Sequence, residues 1–132
     1  VVDGQLRDAR RAMSIYVDGY VLPVPKANVE AYRAIAQACS AVWKEYGAID
    51  YVECIADDMQ SGDVRSFSGS VQLQDDELVV FSWITYPSRE VREVCNAKAM
   101  RDPRVVALAE KMKPIFDSQR MMWGGFKPIV RE

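Results

Sequence analysis

Residues 14–33, Ser-Ile-Tyr-Val-Asp-Gly-Tyr-Val-Leu-Pro-Val-Pro-Lys-Ala-Asn-Val-Glu-Ala-Tyr-Arg, constrain the fold of this chain more than any other stretch. Alternation with period two predicts a strand from about Ser14 to Leu22. It puts Ile15, Val17, Gly19 and Val21 on one face and Tyr16, Asp18, Tyr20 and Leu22 on the other. Pro23 and Pro25 are expected to end the strand, because proline has no N–H to give a ladder. Asn28 then reads as the N-cap of a helix that continues to Tyr46, where Gly47 supplies a left-handed stop. The stripe Tyr32, Ile35, Ala36, Cys39, Val42, Trp43, Tyr46 has spacings of three and four, so one helix face packs on a sheet.

The rest of the chain extends this beginning. A second strand is expected from about Ala48 to Ala56. Asp57 to Ser70 is rich in Asp, Ser and Gly and reads as an exposed connection. A third strand, Glu77 to Tyr86, is apolar on both parities, the mark of a central strand covered on both sides. Ser88 caps a second helix carrying Val91, Val94 and Cys95, and Asp102-Pro103 restarts a short helix to about Met112, stopped by Pro114. A fourth strand, Arg120 to Val130, contains Gly124-Gly125, which suggests a bulge or a close backbone approach. The order β-α-β-β-α-(α)-β is the ferredoxin-like split pattern of an α+β domain, with one extra short helix before the last strand. Its antiparallel sheet runs in the order 4-1-3-2 with helices on one face. The uncovered face of such a sheet needs a cover, and a second copy of the same sheet supplies one, so a homodimer is expected. Residues 13–132 form this single domain. Residues 1–12 are polar and without periodicity and read as a loose extension, or alternatively as a short docking helix carrying Leu6, Ala9 and Met13.

Composition removes several classes of chemistry. The chain has 132 residues, 49% of them hydrophobic, enough for one core without disulfides or a structural metal. Its net charge of -2 gives no general attraction to phosphate backbones or anionic lipid, so neither nucleic acid nor membrane is an expected partner. Histidine is absent, which excludes Ser-His and Cys-His nucleophile systems and His-bearing metal sites. No metal and no cofactor is expected. Cys39, Cys54 and Cys95 lie in apolar surroundings without a Cys-x-x-Cys, and read as small buried hydrophobes in a reducing, cytoplasmic compartment. Asp57-Asp58 and Asp75-Asp76-Glu77 read as solvated loop tips. Arg89, Arg92, Lys98, Arg101 and Arg104 read as a solvated helix face.

The candidate site follows from an assignment of faces. With Ile15, Val17 and Val21 taken toward the helices, Tyr16, Asp18 and Tyr20 point away from them. Tyr51 and Glu53 of strand two join that side, with Val52, Cys54 and Ala56 toward the helices. Phe81, Trp83 and Thr85 of strand three, and Trp123 and Lys127 of strand four, complete an aromatic inter-sheet space holding two acids and one base. Asp18 and Glu53 are the catalytic candidates, because a desolvated carboxyl gains a raised pKa and can act as acid or base. Tyr16, Tyr20, Tyr51, Trp83, Trp123 and Lys127 are the candidate pocket residues. The competing explanation is structural: both acids accept hydrogen bonds from tyrosines or pair with Lys127 or Arg120, and fix register.

Several segments carry a family resemblance. Tyr-Val-Asp-Gly-Tyr-Val-Leu-Pro-Val-Pro (16–25), Glu-Ala-Tyr-Arg (30–33), Glu-Tyr-Gly-Ala-Ile-Asp-Tyr-Val-Glu-Cys (45–54), Val-Phe-Ser-Trp-Ile (80–84), Asn-Ala-Lys (96–98), Met-Arg-Asp-Pro-Arg (100–104) and Arg-Met-Met-Trp-Gly-Gly-Phe-Lys (120–127) resemble the YbaA-like family of uncharacterised bacterial proteins, domain of unknown function 1428. The resemblance implies a dimeric α/β barrel in which two ferredoxin-like sheets face each other. Two functions are then expected. One is binding of a small apolar or aromatic metabolite, between sheet and helices or between the two sheets. The other, by analogy with small monooxygenases and lyases of that superfamily, is cofactor-independent catalysis with Asp18 or Glu53 as base. A purely structural role would leave the inter-sheet space packed solid.

Overall fold

The computed structural model describes residues 3–5, 14–60 and 66–132. Most of the N-terminal extension, including Leu6, Ala9 and Met13, lies outside the described residues. From β1 (Tyr16–Pro25) the chain passes through a 3-10 turn (Lys26–Asn28) into α1 (Val29–Glu45), then β2 (Asp50–Ile55) and a one-turn helix (Phe67–Ser70). After β3 (Glu77–Tyr86) come α2 (Arg89–Arg101), α3 (Pro103–Met112), a second 3-10 turn (Ser118–Arg120) and β4 (Met122–Phe126). The sheet order is β2-β3-β1-β4, with every neighbouring pair antiparallel, as the sequence pattern predicts.

The helix ends have the chemistry the sequence assigns them. Ser88 Oγ accepts from Val91 N at 3.1 Å and Asp102 Oδ1 from Arg104 N at 2.9 Å, with Pro103 at the first helical position of α3. Gly47 takes φ 120° just past α1. Asn28 precedes α1 but makes no cap bond; its Nδ2 donates instead to the Ile115 carbonyl at 2.8 Å, tying α1 to the segment after α3.

Two strand ends differ from expectation. β1 does not stop at Pro23 but stays in register with β3 to Pro25, which pairs with Glu77. The Lys26 N–H points to β3, donating to the Asp76 carbonyl at 2.7 Å, so by alternation positions 23 and 25 direct their missing N–H groups to the other side. β4 has no partner residue there, since its pairing with β1 ends at Val21↔Met122, and no ladder bond is lost. β4 itself is shorter than the apolar run implied, because Arg120 belongs to the preceding 3-10 turn.

Arg120 has a definite task. It donates to both oxygens of Glu77, at 2.7 and 2.6 Å, and to the Gln72 carbonyl. Glu77 is therefore buried at 6% exposure and not the solvated loop tip expected of it, and Arg120 holds its carboxyl below the usual range. This clasp fixes the 113–121 segment across the end of the sheet, where Ile115, Phe116 and Met121 pack on the core of Leu22, Val24, Tyr32, Ala36 and Val80.

Gly125 shows the close backbone approach suggested by Gly124-Gly125. A Cβ there would overlap the Tyr16 ring, 2.6 Å from its Cε2, whereas at Gly124 the nearest atom is Phe126 Cε2 at 3.7 Å. Gly125→Ala is expected to lower the unfolding free energy by about 1–3 kcal/mol, while Gly124→Ala stays within about 0.5 kcal/mol of the parent in urea titrations.

Candidate functional site

Register decides which side chains share a face, since directly opposed residues in an antiparallel pair project together. Tyr16, Asp18, Tyr20 and Leu22 pair with Tyr86, Ile84, Ser82 and Val80. Tyr51 and Glu53 pair with Ile84 and Ser82. The whole set faces the helices: Leu22 and Val80 pack with Tyr32 and Ala36 of α1, and Asp18 is bonded to Arg92 of α2. The assignment of Tyr16, Asp18, Tyr20, Tyr51 and Glu53 to the side away from the helices is thus corrected, and so is that of Trp123, which pairs with Tyr20 and stacks on its ring. For strand three the expectation stands, because Phe81, Trp83 and Thr85 pair with Val21, Gly19 and Val17 on the helix-free face. The reversal has a physical cause. Valine and tyrosine alternate on β1, both bury well, and hydropathy does not reveal that Asp18 has a cation waiting on the helix side.

That cation is Arg92. Its Nε lies 3.0 Å from both Asp18 oxygens and its Nη2 2.7 Å from Oδ1, with Asp18 fully buried and the Arg92 side chain 13% exposed. Asn96 Nδ2 donates to Asp18 Oδ2 at 3.3 Å, and Asn96 Oδ1 accepts from Trp43 Nε1 at 3.0 Å and from the Tyr86 hydroxyl at 3.1 Å. Arg92 is thus not part of a solvated helix face. Its guanidinium also lies 5.2 Å from the Tyr16 ring centre and 5.9 Å from that of Trp123. Asp18 performs the structural role weighed for it, though with Arg92 and Asn96 as partners and not Lys127 or Arg120. Tyr16 and Trp123 flank this ion pair.

Tyr20, Tyr51 and Glu53 come together elsewhere, in a cavity of about 270 Å³ between β1–β3 and the helices. Its walls also include Tyr32, Cys39 and Trp43 from α1, Ser82 from β3, and Phe116 and Met121 from the clasped segment. A neighbouring hollow of about 260 Å³ shares Tyr32, Ala36, Tyr51 and Glu53 and reaches the surface at Arg33 and Gln37. Glu53 stands between the two. Glu53 is exposed along the β2 edge, while its Oε2 accepts from the Tyr32 hydroxyl at 2.8 Å. Desolvation raises its pKa, opposed by hydrogen bonds from Tyr32 and Ser82. Burial raises the Tyr20, Tyr32 and Tyr51 hydroxyls too. Asp18 adds to this at Tyr20, and Glu53 at the other two.

The α1 residues Tyr32, Cys39 and Trp43 were read as core alone. The legible signal was small Ala36 between Tyr32 and Cys39 on the same stripe, which leaves room above the sheet. Of the other candidates, Trp83 and Lys127 lie along an open trough of about 660 Å³ on the helix-free face, with Val17, Val21, Met122 and Phe126. Phe81, Met122 and Phe126 are 43%, 48% and 61% exposed there. Cys95 is buried and Cys39 half-buried, whereas Cys54 is exposed on the edge strand, contrary to the expectation for it. Among the described residues no helix is long and apolar enough to cross a membrane.

The family profile described as "Protein of unknown function (DUF1428)" matches residues 15–118. The chain is 46% identical over 117 residues to "Uncharacterized protein YbaA" of Escherichia coli strain K12, an alignment that spans 89% of this chain and 98% of that protein. Two solved structures with the same fold are a NIPSNAP-like domain protein from Burkholderia xenovorans and SnoaB, a cofactor-independent oxygenase from Streptomyces nogalater. The first has TM-score 0.58, 13% identity and coverage of 91% of this chain and 90% of that one. For SnoaB the TM-score is 0.54 and the identity 10%, over 89% and 96% of the two chains. At such identities the likeness concerns the fold.

Replacing Asp18 by Asn leaves Arg92 without its counter-charge in a buried setting. This variant is expected to lose about 3–5 kcal/mol of unfolding free energy, and Asp18→Leu combined with Arg92→Leu to lose less than the single change, as read from urea denaturation curves.

Proposed function

The chain belongs to the DUF1428 family, and we propose that it binds a small apolar or aromatic metabolite in the cavity between the sheet and the helices. The observation that carries this reading is the meeting of Glu53 with Tyr20, Tyr32 and Tyr51 around about 270 Å³ of space. A space of this size, apolar in most of its lining and with a few convergent polar groups, has the character of a ligand site. Trp43, in the wall, serves as an internal fluorophore. Native mass spectrometry of protein purified without added ligand is expected to show a discrete extra mass, and its removal to change the tryptophan emission. Bare protein whose emission responds to no aromatic compound would sink the reading.

A second reading is favoured by the desolvation of Glu53 and by the fold shared with a cofactor-independent oxygenase. In it Glu53 is the base for proton abstraction and the tyrosine hydroxyls orient the substrate. Asp18 is not a candidate for that role, because both of its oxygens are occupied by Arg92 and Asn96. Glu53→Gln separates the readings: an enzyme loses turnover by about 100-fold or more, whereas a binder keeps most of its affinity for a neutral ligand.

The helix-free face supports the second element of the proposal, a homodimer in which two copies cover each other's trough. Val17, Val21, Phe81, Trp83, Met122 and Phe126 give this face the apolar centre that a stable interface requires. Light scattering is expected to give twice the chain mass for the parent, and the monomer mass for Phe81→Glu. A parent that stays monomeric at about 100 μM would overturn it.

A further inference from the structure

Resting on the reading that the helix-side cavity holds a ligand, we infer that the ligand is an organic cation. It is a small apolar amine whose ammonium sits against Glu53 among the rings of Tyr20, Tyr51 and Trp43.

The argument begins with charge. Among the described residues Glu53 is the one carboxylate lining this cavity, and no lysine or arginine lines it. Of the nearby guanidinium groups, Arg92 is held by Asp18, and Arg33, at the rim of the adjoining hollow, sits in an exposed pair with Glu30 at 3.3 Å. Among the described residues no ion pair reaches Glu53. Its donors, Tyr32 and Ser82, are neutral hydroxyls, which satisfy lone pairs without balancing the charge. Among the described residues the three buried carboxylates each have an arginine on them: Asp18 has Arg92, Glu77 has Arg120 and Asp102 has Arg104. Glu53, open to solvent along the β2 edge and with its Oε2 turned to the Tyr32 hydroxyl, has no such partner and can take a cation from the cavity side.

The surroundings suit one. Trp43 and Tyr51 meet edge to face with ring centres 6.2 Å apart and planes at 61°, and Tyr32 and Phe116 do so at 6.0 Å and 78°. These rings line the space, and an aromatic face carries the negative side of the quadrupole that a cation favours. Among the described residues no hydrogen bond reaches the hydroxyl of Tyr20 or Tyr51. Because no fully buried side-chain oxygen lacks a partner there, both hydroxyls must touch open space, and both residues line this cavity. A phenol hydroxyl is an acceptor open to ammonium N–H groups that Glu53 does not take. The opposite wall, Met100, Met112 and Met121, is apolar and adaptable and receives the hydrocarbon body. A carboxylate or phosphate ligand would meet Glu53 as a like charge, and a neutral one would leave it unbalanced. The volume limits the ligand to about one ring and a short chain.

Isothermal titration with 2-phenylethylamine, 2-phenylethanol and 3-phenylpropanoate tests this, at about pH 7 and low salt. The amine and the alcohol match in size and differ in charge, and the propanoate puts the opposite charge on the same phenylethyl frame. The amine is expected to bind at least about tenfold more tightly than the alcohol, with the propanoate weakest. In Glu53→Gln, checked for folding by thermal unfolding, the amine's advantage disappears while the alcohol keeps its affinity. An alcohol that binds as well as the amine leaves the cavity reading standing and overturns the cation. An amine advantage that survives in Glu53→Gln overturns it as well. Failure of all three probes to bind takes down the cavity reading and this inference with it.

Discussion

The Asp18–Arg92 ion pair is the contact on which the arrangement of this molecule turns. A carboxylate in the middle of a central strand is tolerable only with a charged, forked partner, and Arg92 meets both of its oxygens at 2.7–3.0 Å. With side chains alternating at period two, fixing Asp18 toward the helices fixes every other residue of β1, and through the register every residue of β3 and β2. Tyr16 is thereby placed beneath Arg92 and over Gly125, and Tyr20 beside the cavity. The same network pins α2 through Asn96 to Trp43 of α1, so the helix layer and the sheet are held by one set of bonds.

Two different spaces follow from that choice of face. Toward the helices, the rows from β1, β2 and β3 leave a cavity against α1, with Ala36 and Glu53 in its lining. Toward the free side, the opposite rows leave an apolar trough that is open but for Phe67 of the one-turn helix, set against Phe81 at its end. The two demands are of unlike kind. The cavity is small and carries an acid without a counter-ion, the character of a site for a discrete ligand. The trough is wide, apolar and almost free of charge, the character of a surface for a second sheet.

Much of this was legible beforehand. β3 was placed at residues 77–86 from its run of apolar residues on both parities, Ser88 and Asp102 capped the helices assigned to them, and the four-strand order came from the sequence of elements alone. Glu53 was recognised as a candidate, and a tyrosine as its hydrogen-bond donor, although Tyr32 itself was read only as core. The faces of β1 and β2 were not legible. Two alternating rows that are both buryable look alike, and what breaks the tie is Arg92, 74 residues away in the chain. The environment of Glu77 was hidden for the same reason, because its partner Arg120 comes from the far side of the sequence.

The sequence by itself determined the main helices and strands, their order and the caps at Ser88 and Asp102, because helix period, strand period and capping act over a few residues and depend on little else. It also determined what chemistry is excluded, since a chain without histidine cannot use one. Only the tertiary structure decided which acid is spoken for and which is not. Asp18 and Glu53 are equivalent as letters on alternating strands. One lies beneath an arginine of α2 and the other beneath a tyrosine of α1, and a charge that is matched holds a fold together while an unmatched one can await a ligand.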